Sequence, residues 1–283
     1  MSFKLLLKNG ADEVRILGGY DLDIRGYSMN IADFSLKSEV ALITGGRRGI
    51  GKTLALAFAE AGADVAVSDF VVDDGQLEDV AGQIRQFGRN SLAIRADTRC
   101  KADVDAMVQQ VIDQFGVIDI LVNNAGVDVP GPIVELSEEG WDKVINTNLK
   151  GCFICAQVAA KRMVERKKGN IISIASQFAF RAGANMGVYC ISKAGVVMLT
   201  RVLARELAAY GIRANAIAPA MIKTDLNRHR WSDPEFMKQY EPTVPLGRVG
   251  ETTDIAGAAI FLASKASSYV TGHILLVEGG RLA

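Results

Sequence analysis

Residues 40–51 read VALITGGRRGIG and carry the clearest indication of the fold. The apolar run that ends at Gly45 is typical of a buried strand, and a helix follows with Leu54 and Phe58 on one face and Gly62 at its end. Glycines in such a turn let the backbone approach a pyrophosphate, and the helix N-terminus offers free N–H groups to the anion. The stretch therefore predicts a first βαβ unit that binds a dinucleotide.

The same alternation of short apolar strands and amphipathic helices continues along the chain. Further strands are predicted at 64–69, 91–97, 118–126, 170–176, 212–219 and 273–280, and helices at 73–87, 101–116, 137–167, 187–210 and 251–264. Strands joined by right-handed helical crossovers form a parallel sheet that is covered on both faces. We therefore predict an α/β protein with one doubly wound parallel sheet, a Rossmann fold, as a single domain over residues 39–283. Its ligands are expected at the carboxyl ends of the strands.

Residues 1–38 lack this pattern and are predicted to be an N-terminal extension. Met29 opens a stretch that resembles a natural protein start, so residues 1–28 are interpreted as an appendage, a translated leader or an extra hairpin. No signal-peptide layout is found at this end of the sequence.

The composition excludes several classes of protein. Lys and Arg number 32 and Asp and Glu number 32, so the basic excess of a nucleic-acid-binding protein is missing. No apolar run approaches the length of a membrane span. Four scattered cysteines predict neither a disulfide framework nor a metal site, and Cys152 and Cys155 are interpreted as buried thiols on a helix. A reducing, cytoplasmic compartment is expected.

Three motifs, in this order, resemble the signature of the short-chain dehydrogenase/reductase family. They are the turn G-x-x-x-G-x-G at 45–51, the N-N-A-G sequence at 123–126, and Y-x-x-x-K at 189–193. The resemblance covers residues 39–283. One departure is Pro219-Ala220, where the family usually has Pro-Gly after the sixth strand, and we expect it to alter that turn locally without loss of function.

The resemblance implies the roles of individual residues. The expected catalytic residues are Asn148, Ser176, Tyr189 and Lys193. The expected cofactor-binding residues are Gly45, Arg47, Arg48, Gly49, Ile50, Gly51, Asp69, Asp97, Asn123, Ala125, Gly126, Tyr189, Lys193, Pro219, Ile222 and Thr224. Within this set the family pattern expects Asp97 against the adenine, Asn123 and Gly126 beside the adenosine ribose, and Ile222 and Thr224 at the nicotinamide carboxamide.

The catalytic chemistry follows from the residue types. Tyr189 and Lys193 are four residues apart and share one helix face. A free tyrosine is a poor base at neutral pH, but a neighbouring ammonium and an oxidised nicotinamide ring favour the phenolate. Tyr189 then exchanges a proton with the substrate oxygen, to which Ser176 donates a hydrogen bond. Asn148 resembles the residue that orients a water between Lys193 and solvent.

The nature of the cofactor depends on opposing charges. Asp69 ends the second strand, where a carboxylate accepts hydrogen bonds from ribose hydroxyls and repels a 2′-phosphate. This favours NAD. Arg47 and Arg48 favour NADP, unless Arg48 pairs with Asp69. We predict NAD, with NADP as the alternative.

The substrate side has fewer signals. Residues 224–248 lack the regular rhythm and lie where the family has a mobile lid. A basic cluster at its start suggests that Arg228 or Arg230 holds a carboxylated or phosphorylated substrate, the ordinary alternative being a solvated charged loop. Gln177, Phe178 and Asn185 are further pocket candidates because they are close in sequence to Ser176 and Tyr189.

Three functions remain open at this stage. The first is hydride transfer between NAD and a secondary alcohol or ketone, with sugar acids and polyols favoured because IADFSLKSEVALITGG, residues 31–46, is similar to gluconate-type dehydrogenases of the family. The second is an NADPH-dependent 3-oxoacyl reductase, and the third a nucleotide-binding protein without catalysis. The resemblance also implies a small-molecule substrate and a homo-oligomer, a tetramer or a dimer.

Overall fold

The computed structural model describes residues 13–16, 20–23 and 33–283. The chain divides into two compact units, residues 1–33 and 34–283. In the first, strands β1 (Glu13–Ile16) and β2 (Tyr20–Asp23) pair antiparallel. The proposed start at Met29 lies outside the described residues.

The second unit contains a seven-stranded sheet in which every pair of neighbours is parallel. Its strands are β3 (Val40–Thr44), β4 (Asp64–Asp69), β5 (Ser91–Arg95), β6 (Ile120–Asn123), β7 (Gly169–Ile174), β8 (Ile212–Pro219) and β9 (Ile274–Val277). The strand order is β5-β4-β3-β6-β7-β8-β9. Strand order therefore reverses between β3 and β6, which creates the crevice where doubly wound folds bind ligands. The predicted single-domain Rossmann fold is confirmed.

Helices cover both faces of this sheet. They are α1 (Gly49–Glu60), α2 (Gln76–Gln86), α3 (Lys101–Phe115), α4 (Glu138–Ile145), α5 (Gly151–Arg166), α6 (Gly187–Leu207), α7 (Arg228–Trp231), α8 (Pro234–Tyr240) and α9 (Thr253–Ala263). Helices α1, α2 and α9 pack with Ala41 and Ile43 on one face, while α3 and α5 pack with Val40 and Leu42 on the other. Alternate residues of β3 thus anchor opposite layers of the core.

The compact unit begins at Phe34, somewhat before the expected boundary at residue 39. Leu36 is fully buried, and its N–H donates to the carbonyl of Ala61 at the end of α1 over 2.8 Å. The segment just before β3 is therefore part of the core. Sequence patterning does not reveal it because a single apolar residue has no periodicity.

The long helix predicted from residue 137 to 167 is continuous but contains a π-helical turn, which divides it into α4 and α5. Ser137 caps α4 as expected, since its hydroxyl accepts from the N–H of Gly140 over 3.1 Å. A π-helical turn, Asn146–Lys150, then joins α4 to α5 without a break in the helical path. Such turns often occur at functional sites, and this one contains Asn148.

The expectation that no apolar run approaches the length of a membrane span does not hold for Gly187–Tyr210, which is long and apolar enough to cross a membrane by length and composition alone. In this fold 44% of the most apolar window is buried, and the helix packs along β8. This is the burial expected for a helix that covers one face of a sheet.

Candidate active site

A cleft of about 450 Å³ lies at the carboxyl ends of the strands. It extends from the glycine turn after β3 to Tyr189 and Lys193 at the start of α6. Of the expected site residues, the lining includes Gly45, Arg47, Arg48, Gly49, Ile50, Asp69, Asp97, Ala125, Gly126, Tyr189, Lys193 and Thr224. Expected catalytic residues and expected cofactor-binding residues thus line the same open cleft.

The glycine turn needs its glycines for close contacts. Gly45 has a φ of +64°, which favours glycine, and the Asn124 side-chain amide donates to the carbonyls of Thr44 and Gly45 over 3.0 and 2.9 Å. A Cβ at Gly51 would lie 2.1 Å from the Gly45 carbonyl oxygen. Gly51 therefore seats α1 on the turn and is not part of the cleft lining.

The N-terminus of α1 fits a phosphate group. Arg48 is its N-cap residue and makes no side-chain cap hydrogen bond, and the first turn contains no acidic side chain. Unsatisfied N–H groups and the helix dipole therefore face the cleft. Gly49 has a φ of +58°, and a Cβ there would contact the Thr224 side chain at 3.3 Å. The turn thus forms a cradle that a larger residue would fill.

At the other side of this cradle, Asp69 is partly paired. The Arg47 guanidinium bonds Asp74, and its Nε lies 3.7 Å from Asp69 Oδ1. The pairing expected for Arg48 is therefore made by Arg47, while Arg48 is exposed. The reason is geometric: Arg47 is buried within the turn, whereas the N-cap residue points outward.

A cluster of charge and aromatic surface follows β4 and β5. The Arg99 guanidinium bonds the Asp97 carboxylate over 2.7–3.0 Å and holds the pKa of that carboxyl below its usual value. The Phe70 ring, half exposed in the cleft, lies 5.3 Å from the Arg95 guanidinium and 5.7 Å from that of Arg99. This arrangement offers an aromatic face to an adenine, beside Asp69.

The catalytic candidates meet at the opposite end of the cleft. The Lys193 ammonium donates to the Ile174 carbonyl over 2.7 Å and lies 5.6 Å from the centre of the Tyr189 ring. Burial lowers the pKa of Lys193 to about 8. Burial also raises the pKa of Tyr189 to about 12, and the neighbouring Ser176 hydroxyl opposes that rise. The phenol is therefore protonated at neutral pH in the protein alone and can donate a proton.

Asn148 holds a loop instead of facing Lys193 with its amide. Its Oδ1 accepts from the Val127 N–H over 2.8 Å, and its Nδ2 donates to the Val127 carbonyl over 2.9 Å and to the Ser192 hydroxyl over 3.2 Å. The side chain thereby fixes the backbone just after the N-N-A-G turn. The expected role of Asn148 in orienting a water stays a prediction.

A second, small cavity of about 10 Å³ lies behind the cleft and has room for about one water. Asn123 lines it together with Asn148 and Lys193, and both polar atoms of the Asn123 side chain are buried without a partner. Asn123 was expected beside the ribose, but its side chain faces this internal cavity. Alternation along β6 turns it away from the cleft.

Two residues expected to bind the cofactor, Ile222 and Pro219, are not part of the cleft lining. Ile222 is buried in the core and pairs with Gly250 in an isolated bridge, and Pro219 ends β8 opposite Val277. Thr224 alone of the expected residues after β8 lines the cleft. The N–H of Ala220, at the departure from the family pattern, donates to the Val277 carbonyl over 3.1 Å.

Of the pocket candidates near Tyr189, Phe178 contacts its ring edge-to-face with centroids 6.3 Å apart. Gln177 is buried, and its Oε1 has no hydrogen-bond partner. Asn185 is exposed with a φ of +60°, and its carbonyl accepts from the Gly131 N–H. Asn185 is therefore a turn residue, although its position in the sequence suggested the pocket.

The two arginines of the basic cluster separate. Arg228 bonds Asp225 over 2.5 Å, and its guanidinium lies 5.5 Å from the Trp231 ring, on the exposed side of α7. Arg230 is half-buried, its Nη2 lies 3.4 Å from the Met186 sulfur, and its charge acts on Tyr189. Helical spacing explains the difference, because residues two apart face different directions.

The sequence analysis missed Asp128. This residue follows Val127 in an irregular loop, where no periodicity marks a side chain as inward-facing. Its Oδ1 is buried without a hydrogen-bond partner, and its charge acts on Tyr189. Its position two residues after the N-N-A-G turn is the one signal that could have identified it.

The buried thiols were predicted correctly. Cys152 and Cys155 lie in the core, and burial raises the pKa of both thiols above the ordinary value. Across residues 33–283, whose side chains are described, no group of three or more His, Cys, Asp or Glu side chains is arranged to hold a metal.

Comparison with known proteins identifies the family. A family model described as enoyl-(acyl carrier protein) reductase matches residues 45–281. The chain is 45% identical over 87% of its length to a hydroxy(phenyl)methylsuccinyl-CoA dehydrogenase subunit, BbsD, of Thauera aromatica, covering 97% of that protein. It is 41% identical over 85% of its length to a 3-oxoacyl-acyl-carrier-protein reductase of Staphylococcus aureus, covering 96% of it.

Solved structures agree. A gluconate 5-dehydrogenase of Burkholderia cenocepacia, in complex with NADP and tartrate, superposes with a TM-score of 0.85 at 37% identity, over 89% of this chain and 98% of that one. Fold and site together define a nicotinamide-dependent oxidoreductase. The chain belongs to the short-chain dehydrogenase/reductase family and is an NAD(P)-dependent enzyme that acts on CH–OH groups.

Proposed function

We propose that this protein transfers a hydride between NAD(H) and a secondary alcohol or ketone, with Tyr189 as the acid–base group. The observation that carries the proposal is that Tyr189 and Lys193 line one end of a cleft whose other end is the glycine cradle, with the Ser176 hydroxyl next to the Tyr189 phenol. The nicotinamide cofactor, when bound, supplies or accepts the hydride. The protein's own residues bind, orient and move the proton.

Each catalytic residue has a distinct part in this proposal. The Tyr189 hydroxyl donates a proton to the carbonyl oxygen in reduction and accepts it in oxidation. The Ser176 hydroxyl, next to it, holds that oxygen as its charge changes. The Lys193 ammonium favours the phenolate and is oriented by the Ile174 carbonyl. Asn148 acts as a positioning residue, because it fixes Val127 beside the cleft.

The residues that would hold the cofactor are those of the cradle and the adenosine end. The turn of Gly45 and Gly49 would receive the pyrophosphate, Asp69 the ribose hydroxyls, and Phe70 the adenine. We propose NAD as the preferred cofactor because Arg47 is engaged by Asp74 and leaves Asp69 only partly neutralised. NADP is the alternative, supported by Arg48 at the cleft and by the NADP-bound relative.

Fluorescence titration with NADH and NADPH tests this preference. The wild type is expected to bind NADH at least tenfold more tightly, since a carboxylate near a phosphate is an unfavourable contact. Asp69→Ser should reduce the difference, and Asp73→Ser, a change at an exposed neighbour, should leave it unaltered. Tighter binding of NADPH by the wild type would favour the alternative.

For the substrate we propose a sugar acid, a polyol or a related hydroxy compound. The half-buried Arg230, whose charge acts on Tyr189, supports an anionic group on the substrate. The relatives that act on acyl thioesters support the second candidate, reduction of a 3-oxoacyl thioester.

An absorbance assay of the reduced nicotinamide over sugar acids, polyols, hydroxy acids and oxoacyl thioesters distinguishes the two. Turnover of a sugar acid that is abolished in Tyr189→Phe supports the first. Turnover confined to oxoacyl thioesters favours the second, and absence of turnover over the whole panel would place the substrate outside these four classes.

A homo-oligomer in a reducing, cytoplasmic compartment completes the proposal. Phe153 on α5 and Ile191 and Met198 on α6 are each more than 40% exposed and offer an apolar face to a second copy. All four cysteines are unpaired, which agrees with a reducing compartment. Met198→Asp should lower the molar mass measured by light scattering, and an unchanged mass would contradict an interface on this face.

A further inference from the structure

Asp128 is a half-buried acid with a buried Oδ1 atom, and the proposed chemistry does not use it. Its backbone position is fixed because Asn148 bonds both the N–H and the carbonyl of the preceding Val127, a residue that lines the cleft. The Oδ1 atom of Asp128 is buried and has no hydrogen-bond partner among the described residues. A buried acceptor without a partner is unfavourable, so a ligand that donates to it gains affinity.

A cation faces the same region. Arg230 reaches back from α7 to Met186, the residue before α6, with its Nη2 3.4 Å from the sulfur. The loop that follows Asp128 is joined to this point, since Gly131 and Met186 form a parallel bridge. Burial raises the pKa of the Asp128 carboxyl, while the charges of Arg230 and His229 lower it and favour the ionised form.

The two side chains do not form a direct ion pair. Both side chains lie in the described part of the chain, and no ion pair within 4.0 Å joins them. The charge of Asp128 raises the pKa of Tyr189, and the charge of Arg230 lowers it. The Gly131–Met186 bridge and the Arg230–Met186 contact join the Asp128 loop and Arg230 to the start of α6, three residues before Tyr189.

We propose that Asp128 and Arg230 form a two-point recognition site in which Asp128 accepts a hydrogen bond from a substrate hydroxyl next to the reacting carbon and Arg230 binds the substrate carboxylate. This inference rests on the proposed function and narrows its substrate to a hydroxylated carboxylic acid. An alkyl chain offers no donor to Asp128. A site with a buried acceptor therefore discriminates against an acyl chain that lacks the hydroxyl.

Binding of four small probes tests the two contacts separately. D-gluconate carries hydroxyls and a carboxylate, sorbitol carries hydroxyls alone, hexanoate a carboxylate alone, and hexanol neither. Each is titrated calorimetrically into the protein saturated with the reduced cofactor that it binds more tightly. The variants are Asp128→Ala, Asp128→Asn, Arg230→Ala and the matched control Arg228→Ala, whose guanidinium is engaged by Asp225 and Trp231.

The expected result is a pattern across probes. Wild-type protein should bind D-gluconate about 10–100-fold more tightly than hexanoate, the range expected for a hydrogen bond to a charged group. Asp128→Ala should remove that advantage and leave hexanoate affinity unchanged, and Asp128→Asn should retain part of it because an amide oxygen still accepts. Arg230→Ala should lower the affinity for D-gluconate and for hexanoate by the same factor and leave the affinity for sorbitol unchanged. Arg228→Ala should bind all four probes as wild type does.

Equal affinity of the wild type for D-gluconate and hexanoate would overturn the proposal, as would a gluconate advantage that survives in Asp128→Ala. A loss of all four affinities together in Asp128→Ala and Asp128→Asn would show a structural role and overturn it as well. Failure of the proposed function is distinct, because it would appear as absence of hydride transfer in the absorbance assay whatever the binding pattern.

Discussion

The substitution Gly51→Ala tests the architecture of the cofactor cradle. The new Cβ would lie 2.1 Å from the Gly45 carbonyl oxygen and 2.5 Å from Asn124 Nδ2. Real Cβ contacts essentially never fall below 3.0 Å, so the turn must move by about 1 Å relative to α1. The Asn124 amide that holds the carbonyls of Thr44 and Gly45 must move with it.

The magnitude follows from two opposing effects. Overpacking against backbone costs about 1–3 kcal/mol, and replacing glycine by alanine inside a helix returns up to about 1 kcal/mol. We expect Gly51→Ala to lower the free energy of unfolding by about 1–2 kcal/mol. Because the N–H groups of the turn move away from the phosphate, cofactor affinity should fall at least tenfold.

Gly82→Ala is the matched control. Gly82 lies inside α2, and the nearest atom to a Cβ there is the far end of the Arg85 side chain at 3.9 Å. The same substitution should raise the free energy of unfolding by about 0.5–1 kcal/mol and leave cofactor binding unchanged. Urea unfolding at fixed protein concentration and cofactor titration measure both quantities. If Gly51→Ala matched wild type in stability and cofactor affinity, the account of the cradle would be wrong.

Three further substitutions test the core and its buried charges. Phe58→Ala should lower the free energy of unfolding by about 3–5 kcal/mol, because the side chain is fully buried; a loss under 1 kcal/mol in urea unfolding would contradict its place in the core. Asp119→Asn should cost about 2–3 kcal/mol, since its carboxylate bonds the Val40 N–H and the Arg166 guanidinium over 3.0 and 3.1 Å; a neutral effect on the urea midpoint would refute this. Lys193→Met should change the pH dependence of stability, because burial lowers the pKa of Lys193 from 10.5 to about 8. Below pH 8 the buried ammonium destabilises the folded state by up to about 3 kcal/mol, and this penalty disappears as the pH rises towards 10.5. Wild type should therefore gain stability relative to Lys193→Met across that window, and parallel pH curves would contradict the shift.

The sequence predicted the fold well because its signals are local and repeated. The apolar runs of β4 and β8 match the predicted strands at both ends. As expected, Ser137 caps the start of α4 and Gly116 caps the end of α3. The π-helical turn at 146–150 was not predicted, since one extra residue per turn hardly changes the apolar pattern. The turn contains Asn148, which bonds the backbone of Val127 in a loop earlier in the chain.

The sequence indicated which residue types lie at the site more reliably than it indicated where their side chains point. Motif spacing predicted that Tyr189 and Lys193 share one site. It could not predict which arginine, Arg47 or Arg48, lies next to Asp69, or which of Arg228 and Arg230 faces the catalytic end. Such choices depend on the direction of a side chain at a turn or on a short helix. They are decided by tertiary packing, which a single sequence does not reveal.

The central claim is that Tyr189 moves the proton in a cleft where the cofactor is held by other residues. Its most direct test compares Tyr189→Phe with Tyr210→Phe, a change at an exposed tyrosine, in kcat and in cofactor affinity. The claim predicts that Tyr189→Phe lowers kcat by about 10²–10⁴-fold while the cofactor dissociation constant stays within about threefold, and that Tyr210→Phe alters neither. A Tyr189→Phe protein that keeps kcat within a factor of about three of wild type would contradict the claim.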